Sequence, residues 1–316
     1  MFKKILILLP FLYINIQAHV LIFTTAYNRP DFIALQHKSL VKYLKDDFEY
    51  VVFNDAAQIA DHTAIVEECQ KLNIKCIDFP QYLHVQPQDP YLEIHVAPCR
   101  HAQVIQYAFD TLGFKHNDIV AILDADLFLV EDFSIRNYMQ GYDIAGSEKN
   151  GIIWSTFSPT NKYTFLWPIL LFLDMSKLPD KHTMKFEIMN YDNHYFDSCG
   201  SLYFYLRDHP SIKIKKFDVV NLNAITHALA PAMFTHYHHN KTYYTLDDTQ
   251  NRALLEQLNF KDREIKFIQS GPINIQYFLD NKFFHYMSAS NYDKQTENFH
   301  LIKTQLFNEY MDKVLN

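Results

Sequence analysis

Ile119-Val120-Ala121-Ile122-Leu123-Asp124-Ala125-Asp126-Leu127-Phe128-Leu129 decides the fold. Its first five residues are apolar without polar alternation, the pattern of a strand buried on both faces of a parallel sheet. The run enters two carboxylates separated by one residue. Side chains alternate along a strand, so residues two apart share a face and Asp124 and Asp126 are expected to converge on one cation. That point is the carboxyl end of the strand, where open α/β sheets bind ligands. Hard oxygen donors suit Mg²⁺ or Mn²⁺. A plain turn or a helix cap would use the same residues, but two neighbouring carboxylates repel unless something positive sits between them.

Reading outward toward the N-terminus, strands and helices alternate. His19 to Thr25 is an apolar, β-branched strand, and Asn28-Arg29-Pro30-Asp31 a turn with a helix starting just after Pro30. Phe32 to Lys45 has helical spacing, Tyr50 to Asn54 is a strand, Ala60 to Leu72 a helix and Ile74 to Phe79 a short strand. Pro98 to Leu112 is a helix that leads into the strand Asp118 to Leu123. This order predicts an α/β fold, a Rossmann-like, mostly parallel central sheet flanked by helices. Beyond Asp126 the pattern becomes mixed α+β. Strands are expected at Asp143 to Gly146, Phe165 to Leu173 and Phe283 to Tyr286, with helices at Leu202 to Asp208 and Phe299 to Leu315. Scattered short strands fill His209 to Tyr243. No Pro/Ser-rich linker divides the chain, so residues 19–316 read as one domain with a first lobe at 19–126 and a second at 127–316.

Composition narrows the function. A net charge of -7 gives no basic surplus for phosphate backbones, so no nucleic-acid partner is expected. Six glycines, none clustered, exclude a phosphate-cradling P-loop and a G-x-G-x-x-G fingerprint. The 26 Phe and 21 Tyr suit an aromatic-lined cleft but more often simply fill a core. Cys69, Cys76, Cys99 and Cys199 form no C-x-x-C pair, which argues against structural zinc. A Cys69–Cys76 bridge stays open. Lys3 and Lys4 precede an apolar run from Ile5 to Ile14, followed by Gln17 and Ala18. Residues 1–18 thus read as a secretory signal peptide or a signal anchor, with a buried N-terminal strand or helix as the alternative. The expected location is the secretory pathway, or a membrane held through that segment.

Thr24-Thr25, Asn28-Arg29-Pro30, the helix from Pro98 and Leu123-Asp124-Ala125-Asp126 together resemble the glycosyltransferase A fold, in particular its metal-dependent Asp-x-Asp members. The resemblance spans about Val20 to Asp293, and the aspartate motif is its specific part. It implies a nucleotide-diphosphate sugar as donor, Mn²⁺ or Mg²⁺ on Asp124 and Asp126, and an acceptor that is a glycan, protein or lipid. Thr24, Thr25 and Tyr27 would then meet base and ribose, with Arg29 near the phosphates and Asn54-Asp55 at the base. Thr24 and Thr25 fit ordinary β-propensity equally well. Arg100 and His101 fit either the donor or a solvated helix start. Phe283-Phe284-His285-Tyr286-Met287-Ser288-Ala289-Ser290-Asn291 resembles the family's C-terminal His motif, with His285 as third metal ligand and Ser288 and Asn291 near the diphosphate. Its loop lacks the family's usual glycines. His236-Tyr237-His238-His239 is a rival metal cluster.

An inverting transfer needs a base near the acceptor hydroxyl. Asp197, placed by the resemblance at a helix start in the acceptor lobe, and Asp192 are the candidates; Asp197 or Ser198 capping that helix is the alternative. Trp154 and Trp167 could stack on sugar, although Trp167 lies in an apolar run. Three rival functions are weighed. A haloacid-dehalogenase-type phosphohydrolase would use Asp124 as nucleophile, but its motif normally follows the first strand. A sugar nucleotidyltransferase would need a Gly-rich loop that residues 24–30 lack. An inactive nucleotide-sugar-binding module would not need the aspartate pair.

Overall fold

The computed structural model describes residues 19–84, 96–153, 158–223, 243–245, 274–279, 282–286, 289 and 297–316. Segment 1–18, the cluster 236–239, Trp154, Ser288 and Asn291 lie outside them.

The first lobe alternates as its apolar runs dictate. Strand β1 (Val20–Ala26) leads to helix α1 (Pro30–Tyr43), β2 (Phe48–Asn54), α2 (Ile59–Leu72) and β3 (Lys75–Asp78). Helix α3 (Val96–Thr111) then returns the chain to β4 (Ile119–Leu123). Pro30 occupies the first turn of α1, where a missing N–H costs nothing, and Asp31 and Lys42 suit the two ends of its dipole. Asn73 takes a left-handed φ of 53° and stops α2.

These strands form one side of a nine-stranded sheet in the order β3-β2-β1-β4, all parallel. Alternate side chains feed two cores. Val20, Ile22, Val52, Ala121 and Leu123 pack toward Ile33 and Leu40 of α1 and Ile65 and Cys69 of α2. Leu21, Phe23, Val51, Val120 and Ile122 pack the other way, toward Val104, Ile105 and Phe109 of α3. All five residues of β4 are buried, and full burial of one such aliphatic side chain stabilises by about 1.5–3 kcal/mol.

After β4 come β5 (Leu127–Leu129), the short helix α4 (Ile135–Tyr138), β6 (Ile144–Ile153) and β7 (Ser158–Asp174). The hairpin β8 (Met189–Tyr191) and β9 (His194–Phe196) precedes α5 (Leu202–Asp208) and β10 (Ile214–Lys216). Strand β7 pairs antiparallel with β4 and continues the sheet as β7-β6-β9-β8, with β10 beside β6. A second, five-stranded sheet runs β12-β11-β13-β14-β5, from β11 (Val219–Asn223), β12 (Tyr243–Thr245), β13 (Asn274–Phe278) and β14 (Phe283–His285). Helix α6 (Glu297–Leu315) closes the chain.

Strands β6 and β7 are far longer than expected from Asp143 to Gly146 and Phe165 to Leu173. Their pairing carries polar residues such as Glu148, Lys149 and Asn150 that give no period-2 signal. The four cysteines are free thiols. Among the described residues no helix is long and apolar enough to cross a membrane.

Candidate active site

The aspartates converge through a turn, which corrects the expectation of a shared strand face. Strand β4 ends at Leu123, and the Leu127 N–H closes back on the Asp124 carbonyl at 3.0 Å. The turn is held from below by Gln36 of α1, whose side chain is fully buried. Its Nε2 donates to the carbonyls of Asp124 (2.8 Å) and Leu127 (2.6 Å), and its Oε1 accepts from the Tyr50 hydroxyl at 2.6 Å.

Past the turn the chain leaves the first sheet and enters the second. There β5 pairs with β14 in the register Leu127↔His285. This places a residue 159 positions away beside the motif: His285 Nε2 lies 3.0 Å from Asp126 Oδ1. The Tyr286 N–H donates to the Asp126 carbonyl at 2.8 Å, and the Ala289 N–H donates to Asp126 Oδ2 at 3.2 Å. Helix α6 holds β14 in place: Phe307 and Tyr310 pack 5.6 and 5.3 Å from Phe284, ring centre to ring centre, and Phe307 also lies 4.7 Å from Phe128 of β5. The carbonyl of Val314 accepts from Lys42 Nζ and the Tyr43 hydroxyl of α1.

One ligand atom each from Asp124, Asp126 and His285 lies within 4.8 Å of the others. Two carboxylates and an imidazole are a donor set that fits Mn²⁺ or Mg²⁺. His101 of α3 sits behind them, with Nε2 3.2 Å from Asp124 Oδ1. Burial would lower its pKa, but Asp124, Asp197 and Asp126 together hold it above the ordinary value.

The group opens into a cavity of about 500 Å³. Thr25 of β1 and Tyr27 and Arg29 just after it line the cavity together with Asp55 after β2 and Arg100 of α3. Asp55 Oδ1 gathers Gln81 Nε2 (3.1 Å), His84 Nε2 (2.6 Å) and Arg100 (3.1 Å). Arg29 is clamped to Asp31 at 2.7 Å, and its guanidinium carbon lies 3.6 Å from the Phe32 ring centre. Three sequence candidates fall elsewhere. Thr24 is fully buried and does not line the cavity. Asn54 spends its side chain on the local backbone, accepting from the Ala56 N–H and donating to the His62 carbonyl. Asp192 sits at the tip of the β8–β9 hairpin, accepts from the Tyr163 hydroxyl at 2.7 Å and does not line the cavity.

Asp197 does line it, along with Ser198 and Trp167. It is not at a helix start. Helix α5 begins five residues later, its N-cap is Ser201, and no side chain caps it. Asp197 instead meets Lys149 of β6, with Nζ to Oδ2 at 2.5 Å, and its Oδ1 takes the Ser198 N–H at 2.7 Å. Burial would raise the Asp197 carboxyl; Lys149, the Ser198 N–H and His101 outweigh it and leave the carboxyl below the ordinary range. In the unfolded chain that carboxyl titrates at its ordinary value, so the unfolded state binds the proton first and stability falls with falling pH. The contribution is fully present above about pH 4 and is lost as pH drops through the depressed value. Melting temperature against pH is expected to fall less steeply below about pH 4 in Asp197→Asn than in the native chain. Identical slopes would show that the pair does not hold the proton off.

Sequence reading missed Lys149, Gln36 and His84. A lysine within a strand and a glutamine within a helix look like ordinary surface residues until the partner segment is known.

No family model matches the chain, and neither does any curated protein. Solved structures overlap it at low identity. Core-mannan synthase A from Aspergillus fumigatus, in a Mn/GDP form, is 9% identical over 64% of this chain and 73% of that one, with a TM-score of 0.38. The galactosyltransferase LgtC, in complex with donor and acceptor sugar analogs, is 12% identical over 92% and 95%, with a TM-score of 0.37. A mannosyltransferase from Pyrobaculum calidifontis, in complex with GDP-Man and Mn²⁺, is 11% identical over 63% and 54%, also at 0.37. At these TM-scores the functional reading rests on the site's own geometry.

Proposed function

We propose that the chain is a glycosyltransferase that takes a nucleotide-diphosphate sugar as donor. The observation that carries this reading is the clustering of Asp124, Asp126 and His285 at the carboxyl end of β4, inside a cavity lined on one side by Tyr27, Asp55 and Arg100. When bound, Mn²⁺ or Mg²⁺ would neutralise charge on the departing diphosphate. The chain's own residues do the rest. Asp126 is prepositioned by His285 and the Ala289 N–H, and Gln36 keeps the turn from spreading. Tyr27, Asp55 and Arg100 supply an aromatic face, an acceptor and a donor for base and ribose. Arg29, held by Asp31 against Phe32, offers positive charge near the phosphates. Asp197, on the other wall, would face the transferred sugar and the acceptor hydroxyl. The acceptor is a glycan, protein or lipid, and residues 1–18 would deliver the chain to the secretory pathway or hold it at a membrane.

Thermal unfolding with a panel of nucleoside diphosphates, with and without Mn²⁺, tests the reading. Ligand at 100 times its Kd stabilises by about 2.7 kcal/mol, so one diphosphate should raise the melting temperature by about 5 °C only with Mn²⁺. No shift with any nucleotide, together with hydrolysis of a simple phosphate ester lost in Asp124→Asn, would instead support the phosphohydrolase.

A further inference from the structure

The strand order lays the cavity out as a line. Asp55 follows β2, Tyr27 follows β1, Asp124 follows β4, Trp167 lies on β7 and Lys149 on β6, and these strands are neighbours in that order. Adjacent strands are about 4.8 Å apart, so Lys149 lies about 10 Å laterally beyond the metal group, on the side away from Asp55. Strand β7 runs antiparallel past the end of β4: Leu170 still pairs with Leu123, and Trp167 pairs with Ser147 further out. A ligand with its diphosphate at Asp124 and its nucleoside over β1 and β2 therefore directs its remaining part at Trp167 and Asp197, which line the cavity and which Lys149 contacts.

That wall is built with more care than a packing face needs. Lys149 is 9% exposed, a level lysine reaches only when paired. Its ammonium lies 2.5 Å from Asp197 Oδ2 and 4.1 Å from the Trp167 ring centre. Ser198, next to Asp197, donates its hydroxyl to the Pro98 carbonyl of α3 at 3.0 Å and so anchors the carboxylate's loop. A carboxylate has about four acceptor sites, so Asp197, which lines the cavity, keeps capacity for a ligand beyond Lys149 and the Ser198 N–H. A hydroxyl donates to such a free carboxylate oxygen.

We propose that Lys149 is a positioning residue that holds Asp197 aimed into the cavity, and that Asp197, with Trp167 beside it, grips the hydroxyls of the donor's sugar. The inference rests on the donor reading above and names the sugar end of that site. Asp197 then reads hydroxyls as a fixed, ionised acceptor, and its tie to Lys149 makes it a poor proton acceptor at neutral pH.

The test compares Mn²⁺-dependent binding of GDP and UDP with that of GDP-mannose and UDP-glucose, by calorimetry. Lys149→Met is expected to weaken a nucleotide sugar by about tenfold or more, the worth of a hydrogen bond to a charged group, while the sugarless nucleotide changes by less than about twofold. Lys149→Arg keeps the cation and is expected to recover most of the loss. If Lys149→Met leaves Asp197 so destabilised that the chain unfolds, Lys149→Met/Asp197→Asn removes the lone charge and is read the same way. Equal loss for both ligand types, no loss for either, or a native chain that binds nucleotides but none of the nucleotide sugars overturns the inference and leaves the metal–nucleotide site standing. A native chain that binds no nucleotide with Mn²⁺ overturns the donor reading itself.

Discussion

Replacing Asp126 with Asn is expected to abolish Mn²⁺-dependent nucleotide binding and to lower sugar transfer on the order of 10³-fold, the scale of removing several kcal/mol of charge stabilisation. Asp126 is 8% exposed and offers its two oxygens in different directions, one toward His285 and one toward the Ala289 N–H. An amide supplies one oxygen, and its NH₂ then either confronts the Ala289 N–H or replaces the carboxylate oxygen beside His285. Asp124 behaves differently because its side chain is 25% exposed and its oxygen faces His101. In metal-free protein the two carboxylates repel, so Asp124→Asn should leave the melting temperature in chelator unchanged or higher while it erases the rise caused by Mn²⁺. Opposite signs with and without metal are the signature of a cation site. A rise with Mn²⁺ that survives in both variants would remove the metal from the mechanism.

Gln36→Leu is the second substitution with a large expected effect. The two side chains are similar in size, so the cavity contribution is small. What changes is that in the interior the Leu127 carbonyl loses a donor and the Tyr50 hydroxyl its acceptor, while the part-buried Asp124 carbonyl is left with the Leu127 N–H. A buried polar group left unsatisfied costs about 1–3 kcal/mol, so a loss of about 3 kcal/mol or more is expected from urea unfolding in chelator. The same variant should weaken Mn²⁺ binding, because the turn carrying both aspartates is no longer pinned to α1. A loss under about 1 kcal/mol would mean that water takes over the amide's hydrogen bonds.

Much of the first lobe could be read from residues alone, because β1, β2 and β4 are buried apolar runs and the helices between them carry apolar residues at helical spacing. Leu202 to Asp208 was likewise legible as a helix and is one. The second lobe was not, for reasons visible in particular residues. Strand β5 is three residues long and finds its partner on β14, far along the chain. The β8–β9 hairpin turns on Asp192 and Asn193 at φ 51° and 59°, a left-handed pair that Asn and Asp tolerate without glycine. In the site, Asp124, Asp126 and His285 follow from motif and resemblance, since their chemistry is written in residue type. Gln36 and Lys149 do not, because what makes each matter is a partner 88 and 48 positions away.

The pairing of β5 with β14 also sets a time order. Synthesis from the N-terminus joins Asp124 and Asp126 to the chain long before His285, which lies 159 positions beyond Asp126. The strand that carries it is then clamped by α6 through Phe307 and Tyr310, which pack on Phe284. A growing chain therefore holds a half-built cation site over that interval, and capture of the ion by all three groups becomes an event that waits for β14 and the helix after it.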